Sequence, residues 1–272
     1  MTNNQHPEPI PVAIEQALSR RFANVVAFSG AGMSAESGIP TFRSGSNGLW
    51  GEFNPAELAT PEAWQANKAL VWGWYEWRRG LIESAQPNAG HLALARLQQA
   101  AEAASVASMS AITQNVDNLH ERAGVQNVMH LHGSMFAPRC ASCGKPHTFA
   151  VAPPPEARRE ITPPICPHCT GAIRPGVVWF GENLDACIVG KAQQLIKACD
   201  LLLIVGTSGV VQPAASLVNA VSPSAVVIEI NPDASGRLQR GFEWRTTAAR
   251  GLPSLVDCLL RFDGSRSHDQ YR

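Results

Sequence analysis

Four of the seven cysteines occur in two closely spaced pairs, with two residues between the partners of each pair. The pairs are Cys140 with Cys143 and Cys166 with Cys169. This spacing is typical of a structural zinc site, in which four thiolates close a tetrahedron around Zn²⁺ and stabilise a small lobe. A thioredoxin-like redox pair is the alternative, but two such pairs so close together favour a metal.

A glycine-containing loop, GAGMSAESGIPTFR at residues 30–43, directly follows an apolar stretch. Gly30 and Gly32 let the backbone turn tightly and approach a phosphate, whose charge nearby backbone N–H groups can stabilise. The spacing departs from G-x-G-x-x-G, because residue 35 is alanine and the next glycine is Gly38, and no lysine marks a P-loop. By itself the loop is compatible with nucleotide binding or with an ordinary strand-to-helix turn.

Two histidines, His130 and His132, lie in the stretch HLHGS. A neutral imidazole can accept a proton near neutral pH, because its unperturbed pKa is about 6.5. Either histidine is therefore a candidate general base. The structural alternative for both is a histidine at a strand end whose nitrogens are satisfied by hydrogen bonds.

The stretch VWGWYEWRRG at residues 71–80 concentrates aromatic and basic side chains. On a helix, Tyr75 and Arg78 are three residues apart and share a face, whereas Trp74 and Trp77 are predicted to pack on another. The pattern fits an aromatic core helix with arginines at its edge, or a pocket that presents one phenol and one guanidinium.

Apolar strand-like segments alternate with helical patterns along most of the chain, which predicts an α/β fold with a parallel sheet covered by helices on both faces. In such sheets, ligands bind beyond the carboxyl ends of the strands. The turns SGAGMS, TQNVD, GTS and NPD follow the four predicted strands and are therefore the expected site. These strands are NVVAFS at 24–29, SMSAIT at 108–113, DLLLIVG at 200–206 and AVVIEI at 225–230.

Two segments interrupt the alternation and are predicted to form a smaller lobe beside the sheet. One is the Trp-rich helical segment 45–84, and the other is the cysteine-bearing segment 137–176 with its proline-rich loop. The remaining residues, 1–44, 85–136 and 177–262, are predicted to form the larger domain, and 263–272 a disordered tail.

The composition excludes several classes of partner. Lys and Arg together number 22, as do Asp and Glu, so the formal net charge is zero and gives no reason to expect nucleic-acid or membrane binding. No apolar run reaches the ~18–20 residues of a membrane span. The N-terminus lacks the basic start and apolar core of a secretory signal, and the cysteine pattern suits a reducing compartment. We therefore expect a cytoplasmic protein. We also expect it to be a monomer.

Taken together, the motifs resemble those of the sirtuins, the Sir2-like NAD-dependent protein deacylases. The resemblance runs from about Asn24 to Arg261 and follows the family's order of motifs. It implies a Rossmann-like NAD-binding domain, a smaller zinc-bearing lobe, and a cleft between them for acyl-lysine proteins or peptides. The motifs are GAGMSAESGIPTFR, PNAGH at 87–91, TQNVDNLH at 113–120, HLHGS at 130–134, VVWFGE at 177–182, GTS at 206–208 and IN at 230–231.

The resemblance also implies roles for single residues. His132, which precedes the glycine in HLHGS, matches the family's catalytic base, and Asn115 and Asp117 match residues that orient the nicotinamide end of NAD. The acyl-lysine tunnel would be bordered by Val177, Trp179, Phe180, Gly181 and Glu182. The implied NAD-binding residues are Gly30, Ala31, Gly32, Glu36, Thr41, Phe42, Arg43, Trp50, Gln114, Asn115, Asp117, Gly206, Thr207, Ser208, Asn231 and Ala248.

In the reaction that the resemblance implies, NAD is a co-substrate and no hydride moves. The acyl-lysine carbonyl oxygen attacks the ribose C1′ as nicotinamide leaves, and His132 accepts a proton from the ribose hydroxyls. The products are nicotinamide, 2′-O-acyl-ADP-ribose and free lysine. An NAD glycohydrolase or ADP-ribosyltransferase on the same scaffold is the alternative, but neither needs the tunnel that VVWFGE implies.

Tyr75 and Arg78 indicate which acyl groups on lysine the implied enzyme would remove. A Tyr-x-x-Arg pair at this place, with Ala59 in the preceding LATPEAW, resembles class III sirtuins, which remove succinyl, malonyl and glutaryl groups. The chemistry suits an acid, because arginine stays charged and presents a planar fork to a carboxylate. Ala59 would leave room at the pocket floor.

Overall fold

The computed structural model describes residues 6–41, 53–104, 108–149, 152–157, 159–233, 236, 238 and 240–264. The predicted NAD-binding residues Phe42, Arg43 and Trp50 lie outside the described residues. Residues 265–272 also lie outside the described residues. The disordered tail was predicted to begin at residue 263, but the last helix continues to Gly264.

The larger domain is built on a six-stranded sheet in the order β3-β2-β1-β6-β7-β8, in which every neighbouring pair is parallel. Ser29, the last residue of β1, is level with Thr113 and Val205, so the carboxyl ends of three central strands meet at one edge. The six strands are β1 (Asn24–Ser29), β2 (Ser108–Thr113), β3 (Met129–His130), β6 (Leu201–Val205), β7 (Val226–Ile230) and β8 (Phe242–Trp244).

Helices cover both faces of this sheet, as the apolar strands predict. Alternate residues of β1 enter different cores: Val25 and Ala27 pack on one side, whereas Val26 and Phe28 pack on the other. The larger domain contains α1 (Val12–Ala17), α2 (Gly32–Ala35), α6 (Ala89–Ala104), α7 (Leu119–Ala123), α8 (Ala186–Ala198), a 3-10 helix (Ala214–Ala220) and α9 (Ala248–Gly264). Within the described part of the chain, no helix combines the length and apolar character needed to cross a bilayer.

Three helices of the smaller lobe each begin at a residue whose side chain caps the first turn. The helices are α3 (Pro55–Leu58), α4 (Pro61–Ala66) and α5 (Lys68–Ser84). Asn54, Thr60 and Asn67 each accept a hydrogen bond from a backbone N–H in the first turn that follows. Such caps stabilise helix starts by about 1 kcal/mol each. The third cap starts α5, which carries Tyr75 and Arg78.

The second insertion packs against α5. Arg79 lies between Glu76 and Glu83 and places its Cζ 4.1 Å from the Phe149 ring centroid. A Cβ at Gly73 would lie only 1.9 Å from the Arg159 carbonyl oxygen, so this helical position requires glycine. The two insertions share one hydrophobic core, which supports the proposed lobe of residues 45–84 and 137–176.

The four predicted zinc ligands converge beside a short antiparallel hairpin, β4 (Arg139–Cys140) and β5 (Ile173–Arg174). Their Sγ atoms all lie within 4.8 Å of one another, with Cys140 to Cys169 at 3.4 Å and Cys143 to Cys166 at 3.7 Å. A tetrahedral site with Zn–S bonds of about 2.3 Å separates its sulfurs by roughly 3.8 Å. The cysteines therefore fit Zn²⁺, and neither His147 nor His168 belongs to the cluster.

A disulfide pairing does not fit these four residues. All four are free cysteines, and their separations exceed the ~2.05 Å of an S–S bond. The backbone N–H groups of Ser142 and Cys143 point at Cys140 Sγ, and that of His168 at Cys166 Sγ, each at 3.4 Å. Such donors favour thiolates, the form that binds a metal.

We expect the substitution Cys166→Ser to remove the zinc and to lower the free energy of unfolding by more than about 4 kcal/mol, because the lobe loses its central cross-link. Zinc content and urea unfolding are measured on the purified chain. Cys187→Ser, at an exposed cysteine outside the cluster, is the matched control and should change neither quantity. A Cys166→Ser protein with full zinc and unchanged stability would contradict the assignment.

Candidate active site

A cleft of about 640 Å³ lies between the carboxyl edge of the sheet and the smaller lobe. Its walls combine residues from the glycine loop, from the turns after β2 and β6, from α5 and from the segment after β5. The residues predicted from the sequence that line it are Gly30, Ala31, Gly32, Thr41, Ala59, Tyr75, Arg78, Gln114, Asn115, His132, Val177, Trp179, Phe180, Gly181, Glu182, Gly206, Thr207 and Ser208.

The glycine loop is held against the turn after β6 by backbone contacts. Gly32 N donates to the carbonyl oxygen of Gly206 at 2.8 Å, and Gly30 N donates to that of Val205 at 2.9 Å. A Cβ at Gly32 would come within 2.7 Å of Gly206 Cα, so a side chain has no room there. The glycines thus serve the close approach of two backbones, and this approach forms the floor of the cleft.

His132 follows β3 and is oriented by one hydrogen bond. Its Nδ1 lies 2.9 Å from the carbonyl oxygen of Gln114, so Nδ1 carries the proton and Nε2 keeps its lone pair. Nε2 makes no hydrogen bond within the described part of the chain. Burial lowers the pKa of His132 below 6.5, which the Gln114 contact opposes only in part. The His132 imidazole is therefore neutral near pH 7, and it lines the cleft.

His130 is a different kind of residue, although it is only two positions away. Both of its ring nitrogens have partners: Nδ1 lies 3.0 Å from the carbonyl oxygen of Asn115, and Nε2 lies 2.6 Å from Glu121 Oε1. Burial acts against its charge, but the hydrogen bond and attraction to Glu121 raise its pKa. His132 therefore has a ring nitrogen without a hydrogen bond among the described residues, whereas both ring nitrogens of His130 have partners.

Ser34 connects the two residues predicted to orient nicotinamide. Asn115 Nδ2 donates to Ser34 Oγ at 3.1 Å, and Ser34 Oγ donates to Asp117 Oδ2 at 2.9 Å. Asp117 also accepts from the N–H of Leu119 at 3.1 Å, and burial raises its pKa. Asp117 borders a small adjoining cavity, shared with Asn115 and Arg78, rather than the main cleft. Ser34 was missed from the sequence, although it lies within the glycine-loop motif.

A series of buried hydrogen bonds also supports the turn that carries Asn115. Thr113 Oγ1 accepts from the N–H of Asn115 at 3.0 Å and from Ser29 Oγ at 2.9 Å, and Ser29 Oγ lies 3.0 Å from His120 Nε2. The His120 and His91 rings are in contact, with centroids 5.0 Å apart. Burial lowers the pKa of His120 to about 4 and that of His91 to about 2, so both are neutral.

Thr207 joins the NAD-side residues into one network. Its hydroxyl accepts from Gln114 Nε2 at 3.0 Å, and its carbonyl accepts from Asn231 Nδ2 at 2.9 Å. Asn231 is therefore a buried support for the turn. Glu36 likewise accepts from the N–H of Ala249, next to the buried Ala248, at 2.9 Å. These three predicted NAD-binding residues, Glu36, Asn231 and Ala248, are not among the residues that line the cleft.

Tyr75 and Arg78 are buried at the lobe side of the cleft, next to Ala59. The Tyr75 ring packs edge-on against Trp74 with centroids 4.8 Å apart, and Arg78 Cζ lies 5.0 Å from the Trp74 ring centroid. Burial raises the pKa of Tyr75 to about 12 and lowers that of Arg78 to about 10. At neutral pH the site therefore presents an uncharged phenol and a charged guanidinium.

The adjacent Arg79 differs from Arg78 in its surroundings. Arg79 donates to Glu76 at 2.8 Å and to Glu83 at 2.6 Å, so its charge is balanced within α5. Arg78 is 95% buried beside aromatic rings, and Tyr75 and Asp117 act on it electrostatically. A charge buried in this way favours an anionic ligand.

The segment 177–182 crosses the cleft and is fixed at both ends. Val178 N donates to the carbonyl oxygen of His132 at 2.8 Å, and Phe180 N donates to that of Ala59 at 2.9 Å. The segment is not a regular strand, since only Val177 forms a ladder bridge, with Gly133. Its backbone nevertheless forms hydrogen bonds with both His132, the predicted base, and Ala59, the predicted floor of the acyl pocket.

Glu182, predicted to border the substrate, holds this segment in place. It accepts two hydrogen bonds from Arg174, at 2.6 and 2.9 Å, and one from the N–H of Trp179 at 2.8 Å. Burial acts against the charge of Glu182, but these donors lower its pKa. Arg174 was not identified from the sequence, because it lies among the cysteine-bearing residues and belongs to no motif.

The sequence model of the Sir2 family matches residues 30–213. The chain is 52% identical over 211 residues to NAD-dependent protein deacylase 1 of Pseudomonas aeruginosa, covering 76% of this chain and 82% of the relative. It is 46% identical over 237 residues to an NAD-dependent protein deacylase of Mycolicibacterium paratuberculosis, covering 86% and 97% of the two chains.

Solved structures agree with these relatives. A mutant Sir2 homologue in complex with ADP-ribose is 40% identical, with a TM-score of 0.82 and coverage of 93% of this chain and 97% of that chain. A Sir2 homologue in complex with NAD is 39% identical, with a TM-score of 0.80 and coverage of 95% and 97%. With the family match spanning well over half of its residues, the chain belongs to the Sir2 family, the sirtuins.

Proposed function

We propose that this protein removes acidic acyl groups from lysine side chains of proteins: succinyl, malonyl and glutaryl, and acetyl more weakly. The broader activity, NAD-dependent protein deacylation, follows from the family and from relatives that carry this name. The preference for acidic acyl groups goes beyond the activity that the family and these names give. The observation that carries it is the buried, charged Arg78 beside the Tyr75 hydroxyl.

The residues of the cleft suit NAD and an acyl-lysine chain together. NAD supplies the electrophilic ribose carbon and the hydroxyl groups to which the acyl group is transferred. The glycine loop and the turn of Thr207 and Ser208 line the NAD side of the cleft, where we expect the phosphates of NAD to bind. Gly30 and Gly32 allow these two backbones to meet there. Asn115, positioned by Ser34, would orient the nicotinamide end.

His132 is proposed as the general base. Its proton lies on Nδ1, bound to the Gln114 carbonyl, so Nε2 is ready to accept a proton from a ribose hydroxyl. Val177 and Trp179 give the tunnel apolar walls, which exclude water from the transfer. The products would be nicotinamide, 2′-O-acyl-ADP-ribose and free lysine.

Selectivity for acidic acyl groups would follow from the hydrogen bonds that an acyl carboxylate can accept. A carboxylate can accept a bidentate pair of hydrogen bonds from Arg78 and another from Tyr75. An acetyl group ends in a methyl and would leave the buried guanidinium without that partner, which costs binding energy. The proposed partners are acyl-lysine proteins or peptides, and the zero net charge supports neither nucleic-acid nor membrane binding. A monomer in the cytoplasm remains part of the proposal.

Replacing Arg78 by methionine should lower kcat/KM for a succinyl-lysine peptide by about 100-fold, because two charge-assisted hydrogen bonds are lost. Deacetylation of the same peptide should be retained or increase, since the buried charge is removed. The measurement compares both peptides with NAD. Arg79→Met is the matched control in the same helix: it should lower stability but leave the ratio of the two activities near the wild-type value. Equal losses on both peptides for Arg78→Met would rule out the specificity claim.

Replacing His132 by tyrosine should reduce deacylation by more than about 100-fold, the usual contribution of a general base, without unfolding the protein. Initial rates and thermal unfolding are measured together. His130→Gln serves as the comparison, and its loss should be less than about tenfold because His130 only supports the turn. A His132→Tyr enzyme with near wild-type turnover would refute the assignment.

The pH dependence of kcat/KM should follow the lowered pKa of His132. Because the base acts in its neutral form, activity should persist as pH falls through 6.5, the ordinary histidine value, and decline only below it. Rates for the succinyl peptide between pH 5 and 8 provide the test. An acidic limb with an apparent pKa above 7 would be inconsistent with a base whose burial disfavours its charge.

A further inference from the structure

One polar atom beside the acyl pocket lacks a partner. Trp179 is 97% buried, and within the described residues no acceptor meets its indole Nε1 with hydrogen-bond geometry. Buried indole N–H groups usually have an acceptor, and a buried donor left unpaired costs about 1–3 kcal/mol. Trp179 also lines the cleft, as Tyr75 and Arg78 do. The unpaired N–H thus belongs to a residue of the substrate site.

The orientation of this indole is fixed from several sides. Arg174 Cζ lies 3.5 Å from the Trp179 ring centroid, and the Trp64 ring is in contact with it at 5.7 Å between centroids. The backbone N–H of Trp179 donates to Glu182 at 2.8 Å. Because backbone and ring are both held, Nε1 has little freedom to find another acceptor.

The Trp179 indole and Arg78 guanidinium both act on the Tyr75 hydroxyl. Burial raises the pKa of Tyr75 to about 12, and the Arg78 charge and then the Trp179 indole N–H oppose that rise. Both groups therefore partly offset the cost that burial places on a negative charge near the phenol oxygen. The Tyr75 hydroxyl is therefore the polar group near the Trp179 indole N–H, although the two do not meet with hydrogen-bond geometry. Tyr75 is 6% exposed and Arg78 is 5% exposed, so both groups are screened from water.

We infer that the Trp179 indole N–H is a third donor to the carboxylate of an acidic acyl group, together with Arg78 and Tyr75. This inference rests on the proposed function. A carboxylate offers about four lone-pair sites; the arginine fork can occupy two and the phenol one, which leaves one for the indole. An acyl group that ends in a methyl, such as acetyl, has no terminal oxygen to accept these bonds. Trp179 is thereby a specificity-determining residue as well as a wall of the tunnel.

The substitution Trp179→Phe tests this role, because it removes the N–H and keeps an aromatic ring between Arg174 and Trp64. Two peptides are compared: succinyl-lysine and 4-methylpentanoyl-lysine, which replaces the two carboxylate oxygens by methyl groups of similar shape. We expect the ratio of their kcat/KM values to fall by about tenfold in the variant, mainly through KM. An unchanged ratio, with both activities reduced alike, would show that Trp179 only packs.

Trp64→Phe is the matched control, because it disturbs the same aromatic stack but leaves the Trp179 N–H in place. Its ratio should stay within about twofold of wild type. A second measurement does not depend on the folding of Trp179→Phe. In the His132→Tyr protein, the Trp179 indole proton resonance should move downfield on addition of the succinyl peptide, and much less with the isostere. Equal shifts for both peptides would overturn the inference.

The design separates this inference from the proposed function. If the wild-type protein does not remove succinyl groups at all, the proposed acyl class is wrong, and the role of Trp179 falls with it. If the wild type removes succinyl groups and the Trp179→Phe ratio equals that of wild type, only the third donor is wrong. A reduced ratio together with the selective indole shift supports both.

Discussion

The close approach of two backbones is the constraint on which the site depends. Gly32 and Gly206 meet at the carboxyl edge of the sheet, where even a Cβ would collide. Because these turns touch, Thr207 can accept from Gln114, whose carbonyl in turn orients His132. The catalytic geometry is therefore a consequence of parallel strands that end in register, and of glycine at the contact.

The smaller lobe places the residues proposed to select the acyl group beside this edge. Helix α5 carries two adjacent arginines with different environments: Arg79 is balanced by carboxylates on its own helix, whereas Arg78 lies among aromatic rings. The cysteine cluster anchors the hairpin from which Arg174 reaches Glu182 and Trp179. The cysteine cluster thus connects to residues 177–182 through the Arg174–Glu182 ion pair, and the four cysteines do not line the cleft.

The sequence predicted most of the fold because the central strands are continuous apolar runs, a pattern that signals burial on both faces. It missed the edge strands β3 and β8, whose two or three residues are too few to show a period. Motifs located the four clustered cysteines and the proposed base His132, but not the residues that hold the cleft-lining segments in place. Ser34 and Arg174 act through contacts between segments distant in sequence, and spacing cannot reveal such contacts.

The central claim is that a buried guanidinium makes this sirtuin prefer acidic acyl groups. The most direct measurement is kcat/KM for one peptide carrying succinyl-lysine or acetyl-lysine, with products identified by mass spectrometry in the presence and absence of NAD. We predict NAD-dependent release of lysine with 2′-O-succinyl-ADP-ribose, at a rate well above that for acetyl. A preference for acetyl, or conversion of NAD to ADP-ribose without any acyl peptide, would contradict the account.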